Sequence, residues 1–594
     1  MRAAKRIAVS TALILAAATS FTRANVLEQV PDSALFAVKV ANLQQTSKKL
    51  AQLAKDFGVA GFIPQAADPL GALKQQAGVT KGLNETGEFA IAMISPKSSN
   101  LKEDKSVLML VPVSNFADFI GNFADAKTEA GISEVTFPGD GEATFIADWG
   151  TYAVLSPSKE LVAKPPGTLK PTGLTKDEST KHDFIVYANF ARITPDTKEQ
   201  IEAGFEKALA KIDEADSKVE AKYRPLTKVA LTQLMGAART YLAETEASTI
   251  GITIADAGIN TTIVNQFKPD SYLGKTAASV KNTDVTLLTG LPAMKLLAYG
   301  GAAYDPAITS KIIDDIGAPI FTELGKVEGQ ADTVKLINNY REALKANTGV
   351  IFAMPAPANI GQEGIIQQVQ IYRGGGAAMK KSINDGTELF KAFATTMGGI
   401  DGGVKTELET KPNAKTIEGV SLDQIKIKMT GGEGPEAAQM QQMMSMMYGP
   451  GGLSYDFGVI GKDDLILSAG GATDATLGAF IKANAEAKDN FSTADHIKAT
   501  ADQLPKKRVL EYFIALDEIV NTGVAAAGQF GMPIQVQLPP ELPPIGVTVG
   551  AEGNTIRIDS HIPSTTIQSI IAAGMQVFMQ MQGGGPGGPG GDNL

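Results

Sequence analysis

The chain repeats a short motif in which a proline opens an apolar strand and an amphipathic helix follows. The motif first runs from Pro31 to Val40, and it returns from Pro292 to Gly300. Apolar residues after each proline predict a strand, and Asn42 and Asp305 predict the cap of the helix that follows. A chain that returns to the same strand and helix is expected to fold as two related copies.

Later landmarks recur in the same order, which strengthens the prediction of a tandem repeat. Each copy has a strand pair, a hairpin with Asp in its turn, a strand followed by a helix, and a closing hairpin. The matched segments are 89–94 with 350–355, 107–113 with 365–372, 144–156 with 458–468, 184–190 with 509–516, and 250–264 with 545–558. Strand pairs and hairpins with interspersed helices predict an α+β protein, with antiparallel sheets and helices packed on one face.

The repeat sets the predicted domains. The first copy spans residues 25–285 and contains a long helical hairpin near 195–245, which Pro225 is expected to split. The second copy spans residues 286–580, with a methionine-rich insertion near 430–453. Its first helix is expected to end at Gly317 and to bury a stripe formed by Ile308, Ile312, Ile313 and Ile316.

The two ends of the chain differ in composition from the copies. Residues 1–24 combine a positive start, an apolar run and a terminal Ala24, which predicts a signal peptide and export to the periplasm or the cell surface. An uncleaved N-terminal anchor is the alternative. No later apolar run approaches the length of a membrane span, so no transmembrane segment is expected in the mature chain. The Gly/Pro-rich residues 581–594 are predicted to be disordered.

Charge and rare residue types exclude several classes of function. The chain has 54 Lys and Arg against 64 Asp and Glu, a net charge of −10, and the signal carries positive charge only. An acidic protein repels phosphate backbones, so nucleic acid is not an expected partner. The chain has no cysteine and 3 histidines. Thiolate metal sites and cysteine nucleophiles are therefore excluded, and no cofactor is predicted.

Several of these motifs together resemble a known family. The proline-initiated strand, its helix and the hairpin at 463–468 are similar to a family of exported bacterial envelope proteins that is known only as a domain of unknown function. The Gly/Pro tail resembles envelope proteins of planctomycete-type bacteria. The resemblance covers most of residues 27–580 and implies an envelope location, and it supplies no catalytic residues.

The methionine-rich insertion holds the one candidate metal site. Thioether sulfur is a soft ligand that can select Cu(I), and an exported protein without cysteine could use it. Four of these methionines also follow the spacing of an ordinary apolar helix stripe, so packing or partner docking is the expected role. The candidate ligands are Met440, Met443, Met444, Met446 and Met447.

Other motifs fall short of a catalytic pattern. The pairs Asp314-Asp315 and Asp463-Asp464 are sequence neighbours, whose side chains point apart, so solvated surface positions are expected. The glycines at 374–376 precede Lys380 without the contiguous Gly-Lys-Ser/Thr of a phosphate loop, and a flexible loop entering a helix is expected.

Ser-x-x-Lys patterns begin at Ser99 and Ser156, and they lack the companion motifs of penicillin-recognising enzymes. The three histidines, His182, His496 and His561, are far apart in sequence and at different places in their copies. We therefore predict no catalytic residue and no ligand-binding residue from these motifs.

Three hypotheses for function remain. The first is a non-catalytic envelope protein, a duplicated scaffold that binds a protein partner or an apolar ligand. The second is a secreted hydrolase whose carboxylates are brought together by the fold. The third is a copper-binding protein that uses the methionine cluster. The sequence leaves the oligomeric state open.

Overall fold

The computed structural model describes residues 25–61, 63–137, 142–163, 167–214, 224–328, 330–397, 405–430, 435–487, 491–529 and 536–583. These residues form antiparallel strands and helices, so the predicted α+β class is confirmed. The predicted signal peptide, residues 584–594 of the Gly/Pro tail and residues 431–434 of the predicted insertion lie outside the described residues.

Twenty strands are found within the described ranges. They are β1 Ala34–Val40, β2 Phe89–Ile94, β3 Val107–Pro112, β4 Lys127–Glu129, β5 Ile132–Thr136, β6 Ala143–Asp148, β7 Tyr152–Ser156, β8 Phe184–Asn189, β9 Thr245–Ala255, β10 Gly258–Phe267, β11 Leu296–Ala303, β12 Gly349–Pro355, β13 Gln367–Arg373, β14 Lys405–Ile417, β15 Val420–Thr430, β16 Leu453–Ile460, β17 Asp464–Gly470, β18 Leu510–Ile514, β19 Ile545–Glu552 and β20 Thr555–Pro563.

The helices lie between and after these strands. They are Leu43–Asp56, Pro69–Ala77, Pro96–Ser99, Phe116–Ile120, Gly173–Glu178, Phe190–Asp213, Arg224–Glu244, Tyr272–Ser279, Pro306–Ile312, Ala318–Leu324, Ala331–Leu344, Ile360–Glu363, Gly376–Met397, Pro435–Tyr448, Asp474–Glu486, Asp495–Ala501, Leu516–Gln529 and Ser564–Gly583. Short 3₁₀ turns cover Val26–Gln29, Val59–Gly61, Pro64–Ala67 and Glu103–Lys105, and a π-helical turn covers Ile313–Gly317.

The chain divides into two compact units. Within the described residues, unit 1 comprises 25–51, Pro64–Asp196 and Ala247–Gly251. Its strands pair antiparallel in the order β8-β1-β2-β3-β7-β6-β5-β4. Its core collects apolar side chains from β3 and β8, including Leu108, Leu110 and Ile185.

Unit 2 comprises the described residues of Gln52–Ile63, Thr197–Glu246 and 252–583. Its strands pair antiparallel in the order β10-β20-β19-β18-β11-β12-β13-β17-β16-β15-β14. The core of unit 2 contains aromatic side chains from both strands and helices. β10 comes from the first half of the chain and pairs with β20 from the second half.

The order of strand pairing is shared by the two halves of the chain. The series β8-β1-β2-β3-β7-β6-β5-β4 corresponds strand for strand to β18-β11-β12-β13-β17-β16-β15-β14. The hairpin β14-β15 is longer than its counterpart β4-β5, and helix Pro435–Tyr448 follows it. This order agrees with the predicted repeat, whose origin by duplication stays a prediction.

Two local expectations need correction. The predicted buried isoleucine stripe is partly exposed, since Ile312 and Ile316 are 43% and 41% exposed. The helix does not end at Gly317, because the π-helical turn Ile313–Gly317 leads directly into helix Ala318–Leu324. A π turn inserts an additional residue and rotates the side chains that follow, which breaks a regular stripe.

The predicted helical hairpin is present with different bounds. Its helices are Phe190–Asp213 and Arg224–Glu244, and Pro225 lies in the first turn of the second helix rather than between the two. Proline is well tolerated there, because the first-turn N–H groups lack helical partners. Across the described residues, no helix combines the length and the apolar character needed to cross a membrane.

Candidate functional site

Unit 2 contains a pocket of about 360 Å³ beside strand β11. Its wall is formed by the segment that leads into β11, the helix Asp495–Ala501, the start of helix Leu516–Gln529 and the loop at 540–544. The apolar lining includes Met294, Leu296, Phe491, Ile497 and Leu542, and the polar lining includes Lys295, Tyr299, His496, Asp517, Glu518 and Glu541.

A proline-rich loop forms one wall of the pocket. Its sequence, Pro-Pro-Glu-Leu-Pro-Pro at 539–544, has a fixed φ at four of six positions. Buried hydroxyl groups hold its end in place, with Thr500 donating to the Pro544 carbonyl at 2.7 Å and Thr566 donating to the Pro543 carbonyl at 2.5 Å. The loop is therefore a preformed wall that also offers few backbone donors.

Asp517 is the buried carboxylate of this pocket. It lies in the first turn of helix Leu516–Gln529 and is 2% exposed, so the helix N-terminus stabilises its negative charge. Its Oδ2 accepts a hydrogen bond from the Leu542 N–H at 3.2 Å. Its Oδ1 has no hydrogen-bond partner within the part of the chain that the structure describes. A buried acceptor left without a donor costs about 1–3 kcal/mol.

Two further carboxylates, Glu518 and Glu541, raise the pKa of Lys295 at the edge of the pocket. Lys295 Nζ lies 2.9 Å from Glu518 Oε1, and the lysine side chain is 69% exposed. The hydrogen bond with Glu518 raises the pKa of Lys295 above its ordinary value, and the charges of Glu518, Asp517 and Glu541 act in the same direction. Three carboxylates therefore favour a single ammonium group at this position.

Tyr299, another polar residue of the wall, belongs to an aromatic cluster. The Tyr299 ring stacks on Phe513 at a centroid distance of 5.4 Å and meets the edge of Phe491 at 4.6 Å. Tyr299 is 2% exposed, and burial raises the pKa of its hydroxyl well above the ordinary value, with Asp517 adding to the effect. The phenol therefore stays protonated and can only act as a neutral polar group at neutral pH.

A second pocket of about 430 Å³ in unit 2 has a balanced set of charges. Arg508 Nη2 lies 2.5 Å from Glu511 Oε2, and Lys498 pairs with Asp502. Within the described residues, Arg508 Nε and the hydroxyl of Thr548 have no hydrogen-bond partner. Because acidic and basic side chains are equal in number here and four of them form ion pairs, this pocket offers a weaker basis for selecting a ligand than the pocket at Asp517.

The predicted methionine site lies on helix Pro435–Tyr448. Met443 is 49% exposed, and Met444, Met446 and Met447 are half-buried. The side chain of Met440 lies outside the described residues. The backbone carbonyls of Met446 and Met447 accept hydrogen bonds from the N–H groups of residues 365 and 366. These contacts give the helix a structural role, and copper binding stays a prediction.

The Asp463-Asp464 pair was predicted to be solvated, but both carboxylates accept hydrogen bonds from backbone N–H groups. Asp463 accepts hydrogen bonds from the N–H groups of Gly375 at 2.9 Å and Ala377 at 3.2 Å, and Asp464 accepts one from Gly374 at 3.0 Å. The glycine-rich segment that resembled a phosphate loop is thus filled by carboxylates of the same chain. The pair caps helix Gly376–Met397.

The other acidic pair takes part in ion pairs on the surface. Asp315 lies 2.9 Å from Lys311, and Asp314 pairs with Arg341. Within the described ranges, histidine and carboxylate side chains form no group of three or more that could hold a metal ion.

The Ser-x-x-Lys serines and two of the histidines have structural partners. The hydroxyl of Ser156 donates to the Val107 carbonyl at 2.8 Å, and that of Ser99 donates to the Ser95 carbonyl at 2.9 Å. His182 contacts Glu178 at 2.8 Å, and His561 contacts Asn260 at 2.7 Å. Only His496 among the histidines lines the pocket at Asp517.

Sequence reasoning missed the residues that form this pocket. Asp517 and Glu518 are an acidic pair at the start of a helix, and the Pro-Pro-Glu-Leu-Pro-Pro segment is nearly symmetric in sequence. Either signal could have directed attention to the region. Lys295 gave no signal, because its neighbours in space are more than 200 residues away in the chain.

Comparison with known proteins supplies no family and no activity. No family model matches the chain, and no curated protein matches it. A solved structure described as crystal form I of TP0453 matches with 11% sequence identity and a TM-score of 0.19, covering 42% of this chain and 81% of that chain. A likeness at that TM-score carries no argument about fold or function.

Proposed function

We propose that this chain is an exported, non-catalytic protein that binds a small ligand in the pocket at Asp517. The observation that carries the proposal is the buried carboxylate of Asp517, which lines a preformed pocket and has one oxygen without a donor among the described residues. The volume of about 360 Å³ falls within the range of about 300–1,000 Å³ that is typical of small-molecule sites.

The contacts around the pocket favour binding over catalysis. Glu518 is engaged by Lys295, and one oxygen of Asp517 is engaged by the backbone of Leu542. The hydroxyl of Tyr299 holds its proton because of burial, so it cannot serve as a base near neutral pH. Two of the three carboxylates thus have contacts within the protein, which suits recognition of a ligand.

A secreted hydrolase is the second candidate. It is favoured by one observation, namely that Asp517, Glu518 and Glu541 all line the same pocket. A pair of carboxylates in a cleft can provide general acid and base groups. Turnover of ester, glycoside or peptide substrates that is lost in Asp517→Asn would support this candidate and would contradict the non-catalytic proposal.

Export is proposed from the sequence of residues 1–24. Removal of this segment after Ala24 would leave Asn25 as the first residue of the mature chain. Mass measurement of the protein purified from its native envelope fraction tests this step. A mass that includes residues 1–24 would contradict cleavage and would favour the N-terminal anchor.

Ligand binding is tested with a variant that obstructs the pocket. Ala293 lines the pocket and is exposed, so Ala293→Trp should fill its mouth with little effect on folding. Ala414→Trp is the matched control, because Ala414 is an exposed alanine of β14 outside the pocket. A small-molecule fragment library is screened by ligand-observed NMR against the three proteins.

The expected result is a set of fragments that bind the wild type and Ala414→Trp and fail to bind Ala293→Trp. Equal binding by all three proteins would place the bound fragments elsewhere and would contradict the proposed site. The absence of any bound fragment in the wild type would contradict the proposed function itself.

A further inference from the structure

We infer that the ligand of this pocket is a primary amine with an apolar body, and that Lys295 competes with the ammonium group of the ligand for the carboxylates of the pocket. This inference rests on the proposed function and adds the chemical class of the ligand. It is carried by the charge around the pocket, the hydrogen-bonding capacity of its wall and the position of Lys295.

Apart from Lys295 and the imidazole of His496, the ionisable side chains of the pocket are acidic. Asp517, Glu518 and Glu541 contribute three carboxylates, and Lys295 is the one lysine or arginine among its lining residues. The walls consist mainly of apolar side chains, so charges here are less screened than on an open surface. A carboxylate ligand would be repelled, whereas an ammonium group would be attracted.

The hydrogen-bonding groups of the pocket wall also favour a ligand that carries hydrogen-bond donors. Among the described residues, none donates a hydrogen bond to Asp517 Oδ1, and four of the six loop residues at 539–544 are prolines without an N–H group. A primary ammonium group offers three donors and no acceptor. It therefore fits a wall that is rich in acceptors better than a hydroxyl, an amide or a carboxylate does.

The remaining wall is suited to an apolar body. Met294, Leu296, Ile497 and Leu542 line the pocket together with the aromatic pair Tyr299 and Phe491. Burial of apolar ligand surface contributes about 25 cal/mol per Å². A ring or alkyl chain beside these residues would thus contribute affinity, while the ammonium group determines the orientation.

Lys295 shows which chemistry the carboxylates accept. Its ammonium group lies 2.9 Å from Glu518, and its side chain is 69% exposed, so the group can leave without opening the core. Lys295 is then an internal competitor of the ligand. Lys295→Met removes the competing charge and keeps the apolar stem, and we expect amines to bind about three- to tenfold more tightly, in line with exposed ion pairs.

The test is calorimetric titration of the full chain with three probes of similar shape, namely benzylamine, benzyl alcohol and benzoate. We expect benzylamine to bind, benzyl alcohol to bind at least about tenfold more weakly, and benzoate not to bind. Asp517→Asn should weaken benzylamine by at least about thirtyfold, as expected when one partner of a buried charge pair is neutralised. Glu541→Gln, at an exposed position, should weaken it about two- to fivefold.

Several results would overturn the inference. These are benzyl alcohol or benzoate binding as tightly as benzylamine, no binding of benzylamine at millimolar concentration, or weaker amine binding in Lys295→Met. If fragments of other chemistry still bind the wild type and fail to bind Ala293→Trp, the proposed function stands and only the amine specificity falls. If Ala293→Trp changes no binding, both fall.

Discussion

Lys39 is a fully buried cation on β1 of unit 1. Its replacement tests how much the buried ion pair contributes to the free energy of unfolding of that unit. The side chain is 0% exposed, and its Nζ lies 2.7 Å from Glu88 Oε1. It also donates to Asn25 Oδ1 at 3.0 Å and to the Ser179 carbonyl at 2.9 Å. Burial lowers the pKa of Lys39, while Glu88 acts in the opposite direction.

Lys39→Met keeps the apolar stem and removes the ammonium group, so Glu88 Oε1 and the Ser179 carbonyl lose this donor, while Asn25 Oδ1 keeps the Leu27 N–H. Breaking a buried ion pair by removing one partner costs about 3–5 kcal/mol, because the other charge stays buried. Glu88 is 14% exposed and keeps its hydrogen bond from the Val26 N–H. We therefore expect the free energy of unfolding of unit 1 to fall by about 3–5 kcal/mol.

The chain offers a direct assay of unit 1. Trp149 is its single tryptophan, lies in unit 1 and donates to the Val162 carbonyl at 2.9 Å. Urea unfolding followed by tryptophan fluorescence therefore reports this unit. Lys102→Met, at an exposed lysine of the same unit, is the control and should change stability by no more than about 0.5 kcal/mol.

A second variant separates the buried charge from simple loss of packing. Lys39→Met combined with Glu88→Gln neutralises the unpaired carboxylate and retains an oxygen for the Val26 N–H. The double variant should be more stable than Lys39→Met alone. A loss below about 1 kcal/mol in Lys39→Met, or no recovery in the double variant, would refute the reasoning.

Three further predictions concern unit 2. Asp463→Ala should destabilise it by about 1–2 kcal/mol, because Asp463 caps helix Gly376–Met397 through the Gly375 N–H, and chemical unfolding followed by circular dichroism measures the loss. Burial lowers the pKa of His561, so the unfolded chain takes up protons first, and stability should decline as the pH falls below about 6.5 and level off below the folded-state pKa. This decline should be smaller in His561→Gln, measured by unfolding at several pH values. Replacement of the five candidate methionines of helix Pro435–Tyr448 by leucine should leave Cu(I) binding unchanged in a competition titration, because packing is their expected role.

Each of these three predictions has a result that would contradict it. Unchanged stability in Asp463→Ala would show that the capping contacts contribute little. A pH dependence equal to that of the wild type in His561→Gln would assign the decline to other groups. Loss of Cu(I) binding in the leucine variant would support the copper hypothesis.

Local sequence patterns predicted several strands and helices of the fold. The strands Ala34–Val40 and Phe89–Ile94 are where alternation placed them, and the helix after Asn42 begins and ends as its cap and Gly58 predicted. These elements follow from local sequence, because side-chain period and capping chemistry act over a few residues. The π-helical turn at 313–317 had no such signal.

The candidate pocket depends on contacts that the sequence does not encode locally. Lys295 and Glu518 meet because β11 and β18 are paired strands, and Leu542 reaches Asp517 through the loop before β19. The acidic pair and the proline-rich segment are visible in the sequence, but neither indicates that it meets the other or Lys295. Their common chemistry appears only when the order of strand pairing is known.

The most direct test of the proposed pocket is an NMR titration of the full chain with ¹³C-methyl-labelled methionine. Met294 lines the pocket, whereas the exposed Met443 lies on helix Pro435–Tyr448 and serves as an internal control. Met294→Leu assigns the Met294 signal. On addition of benzylamine we predict a saturable shift of the Met294 methyl signal and an unchanged Met443 signal. An unmoved Met294 signal with benzylamine and with every fragment that binds the wild type would contradict ligand binding in this pocket.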